Sequence, residues 1–351
     1  MKKLVMAIVI IVALGAIGWY GWNNMGGSLS QSPEELLATM QQNMMDVESA
    51  HFTGSLNFEG KYMSGLLPTS EFLPMDGTTD KTLEEGIFMV DMTGAFAREG
   101  EDEYRGYTEA AIGYEMDGQT GSIALSMRGI DGMSYIQVSQ LDIPMEGDTA
   151  QMLDMVSGVV TGKWISLPEA EEVEEESSSD VEEQIKELFY QLEFLTNLNI
   201  EGSERIRGNK TVHITGKLNR EDVRVFMIES RELSDDTMTE DERADLDEAL
   251  DILDGMDIGL WIGASDALLY KVQFGGPVVS ESKGIDGTFN LMLEMYDYGS
   301  DVEVIVPEGA MTSEQVVGEV MGAMMFGMMG DTDLNMMDFE GGMLDFEIPM
   351  E

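Results

Sequence analysis

The chain has 351 residues, no cysteine, and 68 acidic against 19 basic residues, for a formal net charge of −49. That balance repels phosphate, which excludes a general nucleic-acid binder, and it holds the body off anionic lipid headgroups. The absence of cysteine removes both disulfides and a lipid-attachment thiol, while 43% hydrophobic residues suffice for the core of one large or two modest domains.

In chain order, residues 1–22 come first. Lys2 and Lys3 precede nineteen apolar or small residues, Leu4 to Trp22. The run is long enough to cross a bilayer as a helix, and the lysines favour a cytoplasmic N-terminus. Trp19, Tyr20 and Trp22 suit an interfacial belt. The rival reading is a secretory signal cleaved near Ala13-Leu14-Gly15. The expected address is therefore the cytoplasmic membrane, single-pass, with the C-terminal body extracytoplasmic. Residues 23–31 read as a Gly/Ser/Asn linker.

Ser32-Pro33-Glu34-Glu35 is a capping box that opens a helix with Leu36, Leu37, Met40, Met44 and Val47 on one face. Period-two alternation then predicts strands around Phe52–Phe58, Ile123–Met127, Val212–Leu218, Phe289–Met295 and Val302–Val306, with others near Ile87–Phe96, Met133–Val138, Lys163–Leu167, Ile258–Ile262 and Leu268–Phe274. One apolar and one polar side per strand implies an antiparallel sheet. Helices are expected over Asp180–Leu195, over Asn219–Arg231, and from the capping box Thr239-Glu240-Asp241-Glu242 to Gly255. The acidic run 169–180 is too charged to pack and reads as a solvated loop inside one domain, residues 32–310.

Residues 311–330 predict a Met-rich amphipathic helix, capped by Thr312 and carrying Val317, Met321, Met324, Met325, Met328 and Met329 as a packing or partner-binding stripe. Residues 331–351 form an acidic–apolar tail suited to short recognition motifs. Asp331-Thr332-Asp333-Leu334-Asn335 begins like a calcium loop but has Met336 and Gly342 where glycine and glutamate are needed. Enzyme signatures are absent: the two histidines, His51 and His213, have no cysteine to pair with, and no phosphate loop or nucleophile elbow occurs. No catalytic residue, metal or cofactor is expected.

Several segments carry a family resemblance. The helix running into Ser49-Ala50-His51-Phe52-Thr53-Gly54 resembles the mature start of LolA-like lipoproteins and their LppX/LprG relatives. Gly162-Lys163-Trp164-Ile165-Ser166-Leu167 is similar to their mid-chain strand, and Ile200–Gly216 to a strand pair. Leu260–Phe274 resembles their late hairpin and Val304-Ile305-Val306-Pro307 their final strand. The resemblance implies an α+β fold, a curved antiparallel half-barrel sheet with helices over its concave face, holding a greasy ligand or a lipidated partner. The missing lipidation cysteine and the N-terminal anchor depart from the family and turn a shuttle into a tethered protein.

The apolar strand sides supply the candidate ligand site: Phe52, Leu56, Phe58, Leu125, Met127, Phe289, Leu291 and Leu293. The same residues could equally be ordinary core. Among the clustered basic residues, Arg205, Arg207, Lys210 and Lys217 are candidates for an anionic headgroup, against a charge-balanced surface shared with neighbouring acids. The expected function is non-catalytic binding of a hydrophobic ligand. The alternative is an envelope interaction module docking a protein partner through the Met-rich helix and tail.

Overall fold

The computed structural model describes residues 32–63, 83–98, 100, 104–116, 118–130, 132–144, 148–167, 181, 184, 185, 188, 191–233, 237–280 and 284–329. The segment Leu4–Trp22, the linker 23–31, the acidic run 169–180 and the tail 331–351 lie outside them. No helix among the described residues is long and apolar enough to cross a membrane.

Helix α1 (Pro33–Met45) starts as its sequence dictates. Ser32 Oγ accepts from the Glu35 N–H at 3.2 Å, and the Ser32 N–H donates to the Glu35 carboxylate at 3.1 Å. The chain then runs through β1 (Ser49–Met63), β2 (Leu83–Arg98), β3 (Tyr104–Met116), β4 (Gln119–Ile130) and β5 (Met133–Asp142) as an antiparallel meander. Helix α2 (Asp148–Val160) leads to β6 (Trp164–Leu167). A second meander follows: β7 (Leu195–Ile206), β8 (Asn209–Leu218), then α3 (Arg220–Leu233) and α4 (Glu240–Asp254), then β9 (Asp257–Gly263), β10 (Leu269–Ser280) and β11 (Ile285–Tyr296). Strand β12 (Met311–Thr312) and α5 (Ser313–Met329) end the described chain.

The twelve strands among the described residues form one open sheet in the order β12-β6-β5-β4-β3-β2-β1-β11-β10-β9-β8-β7. The architecture is thus α+β with a large antiparallel sheet that does not close, consistent with a half-barrel. Among the described strands, the β12–β6 pair at one edge is parallel and the other pairs are antiparallel, with an isolated parallel bridge from Val138 to Thr161. β1 is the seam: it pairs with β2 on one side and β11 on the other, so strands before and after the acidic run share one sheet. The edge strand β7 breaks register twice against β8 and holds Asn197 at φ 54, irregularities that blunt an edge against strand addition.

The core lies on one side of the sheet and toward one end. Leu36, Met40 and Met44 of α1, Val223 and Phe226 of α3, and Leu246, Leu250 and Leu253 of α4 are buried with Ile214, Ile258, Leu260, Phe274, Leu291 and Leu56. Positions 181, 184, 185, 188 and 191 are helical, and Ile185 and Leu188 pack against this core. Helix α4 carries the expected capping box between Thr239 and Glu242. It ends at Gly255, whose φ of −77 is ordinary helical backbone, so the stop needs no left-handed residue there.

One expected strand is corrected. Residues 301–307 are not part of any sheet, contrary to the strand expected over Val302–Val306. They cross the face of the sheet opposite the helices. Val302 and Val304 are buried against Ala95 and Ala97 there, with Tyr107 beside them. Arg128 Nη1 donates to the Ile305 carbonyl at 2.7 Å, Ser49 Oγ donates to the Ser300 carbonyl at 2.5 Å, and Arg105 reaches Asp301 at 3.5 Å. An extended segment lying on small side chains has the same period of two as a strand, and that is why alternation mistook it for one.

Candidate ligand-binding face

Strand register decides which residues share a side of the sheet, because side chains alternate. One line across the strands reads Ile258, Phe274, Leu291, Leu56, Val90, Ile112, Ile123, Leu141. A parallel line reads Leu260, Val272, Leu293, Gly54, Met92, Ala110, Leu125, Val138. A third runs from Met295 through Phe52, Gly94, Thr108 and Met127 to Ile136 and Ile165. Phe289 faces Phe58, which faces Phe88 and then Tyr114. All eight candidate ligand residues therefore stand on one continuous apolar face, the side that carries the helices.

Burial falls along that face. Leu56, Phe289 and Leu291 are core, between 5% and 9% exposed. Phe52, Phe58 and Leu293 are half-buried and pack against the core. Farther out, Val90, Ile112, Ile123, Leu125, Ile136, Val138 and Leu141 are half-buried, and Met127 reaches 43% exposure. The first end is a closed core under α1, α3 and α4; the second, over β2 to β6, is an apolar surface only partly withdrawn from water. At the boundary Phe52 lies over Gly94, where any Cβ would collide with the Phe52 ring and the Tyr107 carbonyl oxygen. The outer residues on β2, β3 and β5 escaped the sequence reading, since their place on this face depends on long-range register.

The basic candidates stand elsewhere. Arg207 lies 3.7 Å from the centre of the Tyr296 ring, donates to Glu294 at 3.2 Å, and reaches Thr53 Oγ1 at 3.3 Å, all on the opposite side of the sheet. Lys217 pairs with Asp257 at 2.8 Å and donates to the Met256 carbonyl. Arg205 turns back to the Gly208 carbonyl at 2.7 Å, and Lys210 is exposed beside that turn. The structure does not bring these four to the apolar face.

Several other polar and aromatic groups are engaged in stacking and hydrogen bonds. His213 stacks on Trp261 at 4.1 Å, with Lys271 over the same indole at 4.3 Å and the Trp261 N–H donating to Glu204. His51 stacks on Tyr296 at 5.8 Å. Tyr298 donates to the Leu269 carbonyl, and burial drives its hydroxyl far above the usual phenol range. Burial, then the hydrogen bond to Asp266, pushes Tyr270 up to about 12. Neither phenol ionises near neutrality, which suits them to packing rather than proton transfer. No group of three His, Asp or Glu among the described residues is placed to hold a metal ion. A shallow cleft lined by Met311, Gln315, Gly318 and Glu319 lies at the start of α5.

No family model and no curated protein matches the chain. Solved structures do. LprF from Mycobacterium bovis is similar at 15% identity and a TM-score of 0.39, over 81% of this chain and 100% of that one. Lipoprotein LppX from Mycobacterium tuberculosis is similar at 14% identity and 0.30, over 77% and 96%. A putative outer membrane lipoprotein-sorting protein domain from Vibrio parahaemolyticus is similar at 9% and 0.20, over 78% and 95%.

Proposed function

We propose that this chain is a non-catalytic, membrane-tethered extracytoplasmic protein that holds a hydrophobic ligand, a lipid or the lipid of a modified partner, against the apolar face over β2 to β6. One observation carries the reading: a single continuous face, apolar but for the neutral Thr108 and Tyr114, passes from closed core to half-buried surface without a charged residue in its rows. A soluble domain gains nothing by leaving that much apolar sheet partly wet unless something covers it. Apolar burial at roughly 25 cal/mol per Å² would supply the affinity. The segment Leu4–Trp22 would supply the tether in place of a lipidated cysteine.

The test is direct. The chain without residues 1–27 is purified free of detergent, shown to melt cooperatively, and extracted for mass spectrometry. Reproducible lipid at about one molecule per chain supports the reading. A folded protein that is empty and takes up no fluorescent fatty probe ends it. A second reading has its own observation: Val317 and Met321 on α5 are 53% and 62% exposed, as a protein-docking helix requires. Loss of a co-purifying protein on removal of residues 311–351, with lipid content unchanged, favours that interaction module.

A further inference from the structure

The charge layout around the apolar face points to the class of ligand it takes. We infer that this face accepts amphiphiles with an uncharged or cationic head and discriminates against anionic ones; the inference rests on the binding role proposed above. On the helix side, between the rows of Phe58 and Phe52 and out to Ile165, every described residue in register is apolar, glycine, or a neutral Thr108 or Tyr114. Tyr114 stays protonated, since burial and then Asp142 raise its hydroxyl above the ordinary phenol value.

The cations of these strands are engaged away from these rows, Arg105 and Arg128 on the other side of the sheet and Arg98 and Lys163 at strand ends. Arg105 reaches Asp301 at 3.5 Å, and Arg128 covers the Trp164 ring at 4.6 Å while donating to the Ile305 carbonyl. Lys163, just before β6, pairs with Glu319 at 2.7 Å. Arg98, at the very end of β2, turns to the Gly100 carbonyl at 2.9 Å. The four headgroup candidates engage their own acids and carbonyls or stand exposed beyond the face. An anionic head brought to this face would lose hydration without gaining a countercharge, in the field of a body carrying −49. A neutral head meets neither penalty, and a cationic head gains from the field.

The full chain in phosphatidylcholine nanodiscs, with empty discs subtracted, tests this by displacement of the neutral probe N-phenylnaphthylamine. Three competitors share one chain: dodecanol, dodecyltrimethylammonium and dodecyl phosphate. At low salt the first two should displace the probe at concentrations about ten-fold below the phosphate, and high salt should narrow the gap. Met127→Lys, which sets a cation on the exposed end of the face, should bring the phosphate level with dodecanol. Dodecyl phosphate that competes as well as dodecanol at low salt overturns the inference, as does a Met127→Lys protein that binds the probe but shows no gain for phosphate. A probe that does not bind at all overturns the binding role itself, a separate outcome.

Discussion

Leu56 and Met127 have their side chains on the same face, yet they should answer mutation in opposite ways. Leu56 is core, so Leu56→Ala should cost about 2–5 kcal/mol of stability in a denaturant titration. Met127 is 43% exposed, so Met127→Asp should change stability by no more than about 0.5 kcal/mol while reducing uptake of a fluorescent fatty probe several-fold. If the two variants lose probe binding only in proportion to lost stability, the outer face is not a ligand surface. At Glu242 the question is one of pH. The Thr239 N–H, then the Thr239 hydroxyl and Arg231, hold its carboxyl at about 2, below the ordinary 4.5. A depressed carboxylate contributes stability that is complete above its ordinary value and lost as pH falls toward the folded value. Melting temperature should therefore drop between pH 4.5 and about 2, and Glu242→Gln should flatten that part of the profile. A profile unchanged by the substitution would remove Glu242 from the acid response.

At the scale of elements, the crossing segment 301–307 gives a sharp contrast. Val302 is 1% exposed and Ile305 is 64% exposed. Val302→Ser should lower stability by about 1–3 kcal/mol, and Ile305→Ser by less than about 0.5 kcal/mol, read from urea midpoints. Equal effects would mean that the segment does not lie on Ala95 and Ala97. The same segment shows where sequence reading stops. Helices α1, α3 and α4 were legible because Ser32, Asn219 and Thr239 are local caps, visible within four residues; the Asp222 backbone N–H does donate to Asn219 Oδ1, at 3.4 Å. The strands with apolar–polar alternation were legible too. β3 was missed, since small residues such as Gly106, Ala110, Ala111 and Gly113 erase its alternation and favour no strand. α2 was missed for a related reason: Val156, Val159, Val160 and Gly158 are poor helix formers. The eight candidate ligand residues were each readable as one side of a strand. That the eight form one face could not be read, because that depends on pairings such as Leu56 with Leu291 across most of the chain.

At the scale of the molecule, charge sets the balance. A net −49 on one body means repulsion among like charges throughout, whereas the described ion pairs are largely exposed and each contributes little. Screening shortens from about 10 Å at 0.1 M salt to about 3 Å at 1 M, so repulsion should weaken more than the close pairs do. Melting temperature should rise with added sodium chloride; a fall would mean that the pairs on α3 and α4 matter more than the net charge.

The seam strand has a consequence for how the chain assembles in time. β1 is among the first strands made, and one of its two neighbours, β11, is among the last. Until residues 285–296 emerge, the backbone edge of Ser49–Met63 that will receive them stays unpaired and able to recruit a wrong strand. The closed end of the apolar face needs Phe289 and Leu291 from that late strand, so the core cannot be completed by the first half of the chain alone. Folding must wait for a contact spanning well over half the sequence, which predicts slow, nearly post-synthetic assembly and a reliance on holding factors while β1 stands open.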